Sequence, residues 1–236
     1  MTCPTQHREN LLGQIADKGR PGRNEFSASY LKSAHRYYGL TAPDMRRMSR
    51  EWVRSNEDVA PEEFVRLLDS LFRGESLEEK IVGALLLGYN KRGRAAVSTK
   101  SLEAWLDHLV GWAEIDALCS NIFKPDEALA KWKDWERLVK RLARDENINK
   151  RRAALVFLTG FVRHSDDKRF SALAFETIER LKSEREIIIT KAVSWLLRNL
   201  TIRHKTSVAA YIAKNETSLP AIAVRETTRK IKTGRK

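Results

Sequence analysis

The chain has 236 residues, enough for one large domain or two small ones, each with a full core. Lys and Arg number 44 against 31 Asp and Glu, a formal net charge of +13, while Gly and Pro number only 11 and 6. A mix that is 42% hydrophobic and 32% charged argues against wholesale disorder, the scarcity of Gly and Pro argues against loop-rich, all-β and collagen-like chains, and no run approaches the ~20 apolar residues of a membrane span.

Helix signals follow one another from Pro43 onward. Pro43-Asp44 opens a helix whose apolar face carries Met45, Met48, Trp52 and Val53. Pro61-Glu62-Glu63 opens the next, with Phe64, Leu67, Leu68 and Leu71 on one face and a stop at Gly74. Ser76-Leu77-Glu78-Glu79 is a capping box leading into Ile81, Ala84, Leu85 and Tyr89. A turn is expected at Asn90-Lys91-Arg92-Gly93, then a helix bearing Leu102, Trp105, Leu106 and Leu109. Pro125-Asp126 starts a helix that runs with Leu129, Trp132, Leu138, Val139 and Leu142 to about Arg144. Further helices are predicted over Asn147 to His164, Lys168 to Lys182, Glu184 to Arg203, Val208 to Lys214 and Pro220 to Lys232.

Alternating strand patterns are nearly absent, so the chain reads as all-α. About twelve helices, arriving as pairs every ~35–40 residues, have the period of a HEAT or armadillo-like helical-repeat solenoid. The expectation is one repeat domain over 1–236 with a basic concave face; a compact bundle is the plainer alternative. Excess charge concentrates in two stretches. Lys131 to Arg152 holds nine basic and four acidic residues, and Arg225 to Lys236 holds six and one, the latter open to reading as a frayed basic tail.

Chemistry is narrowed first by what is missing. Met1-Thr2-Cys3-Pro4 does not open a signal peptide, and Cys3 and Cys119 cannot build a disulfide framework or a thiolate metal site. The five His are scattered, with no pair at ligand spacing. Phosphate-binding and dinucleotide-binding glycine motifs and a nucleophile elbow are also missing. A cytoplasmic, reducing setting is expected, with no metal or organic cofactor. The positive field points to a polyanion as partner.

The most informative stretch is Gly111-Trp112-Ala113-Glu114-Ile115-Asp116-Ala117-Leu118. At ~100° per residue, Trp112 and Asp116 fall within ~40° of each other on one helix face. Such a pair suits a carboxylate held against a sugar ring; it suits equally a core edge where Trp packs and Asp caps a neighbour. Glu114 turns ~200° away from Trp112 and is expected to be solvated. Trp195 and Arg198 are i, i+3 neighbours following Lys191, read either as a working face or as core Trp with a snorkelling Arg. Lys150-Arg151-Arg152 opens an apolar run, as a phosphate clamp or an ordinary amphipathic boundary.

Taken in order, Tyr30-Leu31-Lys32, Tyr38-Gly39-Leu40, Pro43, Arg46-Arg47, Trp112 with Asp116, Asn147 with Arg152-Ala153-Ala154, and Lys191-Ala192 with Trp195 and Arg198 resemble the DNA alkylation repair family of HEAT-like-repeat DNA glycosylases over nearly the whole chain. The resemblance implies hydrolysis of the N-glycosidic bond of N3- and N7-alkylated purines, such as 3-methyladenine and 7-methylguanine, in duplex DNA without base flipping. It places the family's catalytic carboxylate on Asp116, its two tryptophans on Trp112 and Trp195, and its arginine on Arg152. Backbone-contacting positions fall on Tyr30 and Arg46, with Lys191 and Arg198 beside Trp195. At Ala42, just before Pro43, this chain departs from a member of the family that carries a hydroxyl there; Thr41 stands one position earlier. The partner implied is duplex DNA containing alkylated purines, met by a monomer with no membrane association. The competing reading is a non-catalytic HEAT-like module that binds duplex or branched DNA.

Overall fold

The computed structural model describes residues 4–20, 30–31, 33–120 and 122–235; Cys3 and Lys32, which entered the sequence reading, lie outside them. The described residues form fourteen helices, with no strand beyond an isolated bridge between Arg36 and Ser76. They fall into two compact units, Met1–Leu118 and Cys119–Lys236.

The first unit holds α1 (Pro4–Lys18), α2 (Ala42–Ser55), α3 (Pro61–Phe72), α4 (Leu77–Tyr89), α5 (Lys91–Ala95), α6 (Thr99–Leu106) and α7 (Trp112–Cys119), the last ending one residue beyond it. Helix α1 packs on α3, α2 packs on α4, and α3 touches α4, α5 and α6. Local chemistry sets these boundaries. Thr41 caps α2, its hydroxyl accepting from the Asp44 amide and donating to the Asp44 carboxylate. Both halves of the Ser76–Glu79 capping box are formed at the start of α4. The expected turn at Asn90–Gly93 is a short helix instead, because the Asn90 side chain accepts from the Gly93 amide at 2.8 Å and so starts one. Only glycine fits there, since a Cβ at 93 would lie 2.2 Å from the Phe64 ring.

Two expectations in this unit are corrected. The buried stripe of α4 is Val82, Gly83, Ala84, Leu86 and Leu87, whereas Ile81 and Leu85 are half-buried and Tyr89 is exposed. An almost uniformly apolar helix gives periodicity no contrast with which to fix its rotation. And α1, which is absent from the predicted helices although Pro4 stands at its first position, buries Leu11 and Ile15 completely.

The second unit holds α8 (Pro125–Ala130), α9 (Trp132–Leu142), α10 (Ile148–His164), α11 (Lys168–Leu181), α12 (Ile187–Leu200), α13 (Lys205–Asn215) and α14 (Ala221–Thr233). Its architecture is a helical repeat. Helices α10, α12 and α14 pack side by side, and α9, α11 and α13 pair with them in turn. The middle of α10, Ala153 to Val162, is buried throughout, as befits a helix that is apolar all round. Trp135 packs edge-on against Phe123, Phe157 and Phe161, and Phe161 stacks on Phe170. The single helix expected from Pro125 to Arg144 is broken at Lys131, whose φ of −122° and ψ of 36° leave the helical region. Residues Arg225 to Thr233 belong to α14, which ends on Gly234 in the left-handed region.

One helix start carries a pH-dependent prediction. Asp167 caps α11, its carboxylate accepting from the Arg169 amide at 2.9 Å and the Arg169 guanidinium at 2.7 Å, and these contacts hold its pKa down at about 2. A depressed carboxylate stabilises the fold fully above its unfolded value of ~4 and loses that effect as pH falls from ~4 through ~2. Asp167→Ala should cost about 1 kcal/mol in urea melts at pH 7, the typical loss for an N-cap, and the gap to wild type should shrink below about pH 4 and close only below about pH 2. Equal stability at pH 7 would show that Asp167 does not cap α11 in solution.

Candidate functional site

In the first unit the chemistry gathers on α7. Gly111, at φ 83°, takes the left-handed conformation that lets the chain turn into this helix. Trp112 follows as its first residue and Asp116 stands one turn later, both half-buried. The Trp112 indole N–H donates to the Tyr30 carbonyl at 2.8 Å, and the two rings meet edge to face at 5.4 Å. Tyr30 itself is 64% exposed. Two sequence-predicted residues, 82 positions apart, are thus brought together.

Glu114 is a correction. Expected to be solvated, it is 1% exposed. Its Oε2 accepts the Val110 amide at 2.8 Å, and its Oε1 takes the Ser33 hydroxyl and Nδ1 of His35, the latter at 2.9 Å. A carboxylate only accepts, so Nδ1 of His35 carries a proton. Rotation about the helix axis placed Glu114 away from Trp112; what covers it comes from a segment some 80 residues earlier in the chain. A second buried carboxylate, Glu78, accepts the backbone amides of Tyr38, Gly39 and Leu40 at 2.9 to 3.2 Å. Burial pushes the Glu78 carboxyl up, and the three amides work against that shift. Lys80, also buried, donates to the Phe72 and Gly74 carbonyls; burial pushes its ammonium down, while Glu114 and Glu79 oppose the shift.

In the second unit an open groove of about 530 Å³ is lined by Arg152 and Arg163 of α10, Lys191, Trp195, Arg198 and Asn199 of α12, and Ile222, Glu226 and Lys230 of α14. On α12 the spacing of Lys191, Trp195 and Arg198 places all three on one face. Arg152, Lys191, Trp195 and Arg198, four of the sequence-predicted residues, share this groove. Five basic side chains face one carboxylate, so the groove is suited to anions. Arg152 is only 5% exposed and donates to the Ile188 carbonyl at 2.5 Å. Arg198 donates to the Ser194 carbonyl at 3.2 Å and lies 3.4 Å from Glu226, which also accepts the Ser194 hydroxyl at 2.6 Å. Burial pushes the Lys230 ammonium down, helped by the like charges of Arg198 and Arg163.

Arg163, Glu226 and Lys230 were missed by sequence reasoning. The signal open to it was the i, i+4 spacing of Glu226 and Lys230 inside the basic tail. Conversely, the basic run from Lys131 to Arg152 is no free patch, since Arg137 pairs with Asp134, Lys140 with Glu136 and Glu176, Lys150 with Asp145, and Arg151 with Glu184. Arg46 stands exposed on α2. Among the described residues, no group of three His, Cys, Asp or Glu is placed to hold a metal ion, and no helix is long and apolar enough to cross a membrane.

The sequence matches a family described as DNA alkylation repair enzyme over residues 11–231. The fold is similar to that of a predicted DNA alkylation repair enzyme from Enterococcus faecalis, with a TM-score of 0.73 and 18% identity, covering 90% of this chain and 96% of that one. No match was found among curated protein sequences.

Proposed function

Because the chain belongs to the DNA alkylation repair enzyme family, we propose that it is a monofunctional DNA glycosylase that hydrolyses the N-glycosidic bond of cationic N3- and N7-alkylated purines in duplex DNA. The observation that carries this reading is Asp116, half-buried one turn from Trp112 on a helix whose start is fixed by Glu114 and Tyr30.

Alkylation at N3 or N7 fixes a positive charge on the purine, so the base leaves without being protonated first. As the bond from C1′ to the base nitrogen breaks, the electron pair goes to the base, which departs neutral, and positive charge develops on the deoxyribose. An ionised Asp116 stabilises that cation and orients the attacking water, which forms the new bond to C1′ and passes its proton to bulk water. The π face of Trp112 adds roughly 0.5–2 kcal/mol to a cationic sugar, while Trp195 offers its ring within the groove of the second unit. Arg152, Arg198 and Lys191 bind backbone phosphates in the groove of the second unit, Tyr30 and Arg46 supply further backbone contacts, and no metal or cofactor takes part. Asp116 lies half-buried rather than enclosed, which fits excision without flipping the lesion into a pocket. The protein acts as a monomer.

The test is single-turnover release of 7-methylguanine from a duplex carrying one lesion, with a uracil duplex beside it. Release of 7-methylguanine with uracil untouched is the expected result, since uracil is a neutral leaving group and needs an acid. Tight binding of both duplexes with no release would overturn the glycosylase reading and make the chain a DNA-binding module.

A further inference from the structure

We propose that Glu114 is a positioning residue for the Trp112–Asp116 face, acting by pinning the Ser33–His35 turn, and with it Tyr30, against the first turn of α7. The rate part of this inference rests on the glycosylase reading; the pinning itself does not.

Glu114 divides its two oxygens between two tasks. Oε2 accepts the Val110 amide at 2.8 Å, an ordinary service of a glutamate in the first turn of a helix. Oε1 serves only residues far away in sequence, the Ser33 hydroxyl and Nδ1 of His35. A helix cap does not need that second set, and it leaves Glu114 1% exposed. Burying a carboxylate is costly unless its oxygens are hydrogen-bonded, and here both are. The turn is self-supporting as well, because the His35 amide donates to the Ser33 hydroxyl oxygen at 3.1 Å.

A second tether runs in parallel. Three residues before Ser33, the Tyr30 carbonyl accepts the Trp112 indole N–H at 2.8 Å, and the Tyr30 ring rests edge-on against the indole. The early segment is thus fastened to α7 at Trp112 and at Glu114, two residues apart. Tyr30 is 64% exposed and has little packing of its own to keep it in place. Beyond His35 the chain is held by the Arg36–Ser76 bridge and by the Glu78 carboxylate, so losing the Glu114 tether frees Tyr30, Ser33 and His35 in particular, and the indole that rests on Tyr30 loosens with them. Loss of orientation at a reacting group acts on rate and leaves phosphate contacts elsewhere unchanged.

The experiment uses the full chain labelled with 5-fluorotryptophan, which gives one ¹⁹F resonance for each of six tryptophans. The Trp112 signal is assigned by its disappearance in Trp112→Phe. Glu114→Gln and, as the milder change that leaves the buried carboxylate and its Lys80 neighbour intact, Ser33→Ala should each shift and broaden the Trp112 resonance while the other five hold position. Both should slow single-turnover release of 7-methylguanine by about tenfold while weakening duplex binding by no more than about twofold, Tyr30 being one of several backbone contacts, and Ser33→Thr, which restores the hydroxyl, should recover the wild-type signal and rate. A Trp112 resonance unmoved in Ser33→Ala would overturn the pinning even if Glu114→Gln failed to fold. A moved resonance with an unchanged excision rate would overturn the positioning role. If the wild type releases no base, the glycosylase reading has failed, and the fluorine signal alone decides whether Glu114 holds Trp112.

Discussion

Asp116→Asn is expected to slow release of 7-methylguanine by about 10²- to 10³-fold, the usual cost of removing one preorganised electrostatic stabiliser. The substitution keeps the shape, removes the charge and turns one accepting oxygen into a donating NH2. In the dissociative reaction proposed here the charge matters most, because the sugar is neutral in the ground state and cationic at the transition state. The favourable interaction therefore grows along the reaction coordinate and appears in the rate, not in the affinity. Duplex Kd should remain within about twofold of wild type, since phosphate contacts dominate binding. Asp116 stands half-buried on the second turn of a helix whose start is fixed by other residues. Wild-type turnover by Asp116→Asn would remove this residue from the mechanism; equal losses of turnover and affinity would make it a binding residue instead.

What could be read from the sequence follows how local each determinant is. The starts of α3, α4 and α10 rest on Pro61, the Ser76–Glu79 pair and Asn147, each acting within four residues of itself, and the structure has them where the spacing predicts, while α2 begins at Ala42, one residue before the expected Pro43, because Thr41 caps it. Errors arose where pattern lost contrast or the deciding contact was distant. Helix α4 is so uniformly apolar that its rotation was misjudged. The break at Lys131 separates two segments that share one amphipathic pattern, so periodicity runs straight through it.

The same division holds for the candidate site. Trp112 with Asp116, and Lys191 with Trp195 and Arg198, lie on single helices at helical spacing, and such pairs are visible in one sequence. The groove of the second unit is assembled from three helices of one layer, so Arg163 and Lys230 join Arg198 only through tertiary packing. Glu114 is the sharpest case. Helical rotation shows which way it points relative to Trp112, but nothing local indicates that Ser33 and His35 will cover it.

Arg152 and Arg198 should separate two roles that one charge can play. For each, replacement by Ala should lower the slope of log Kd against log salt by about 0.9, the release of one counterion, and weaken duplex binding by about tenfold. They should differ in stability. Arg152 is 5% exposed and gives the Ile188 carbonyl, in the first turn of α12, a second donor, so Arg152→Ala removes that brace and leaves a hole where the buried stem lay, a loss of about 1–3 kcal/mol. Arg198 pairs with Glu226 at 3.4 Å, and Glu226 keeps the Ser194 hydroxyl when Arg198 is removed, so Arg198→Ala should cost less than about 1 kcal/mol. Salt titrations of duplex binding and urea melts read the two quantities independently. A stability loss in Arg152→Ala with an unchanged salt slope would make that guanidinium a brace between α10 and α12 alone. An arginine has five N–H donors in a rigid fork, so a bond to Ile188 and a contact to a phosphate are compatible on one side chain. Lysine, with its charge at a single point, should then restore the salt slope in Arg152→Lys without restoring the stability.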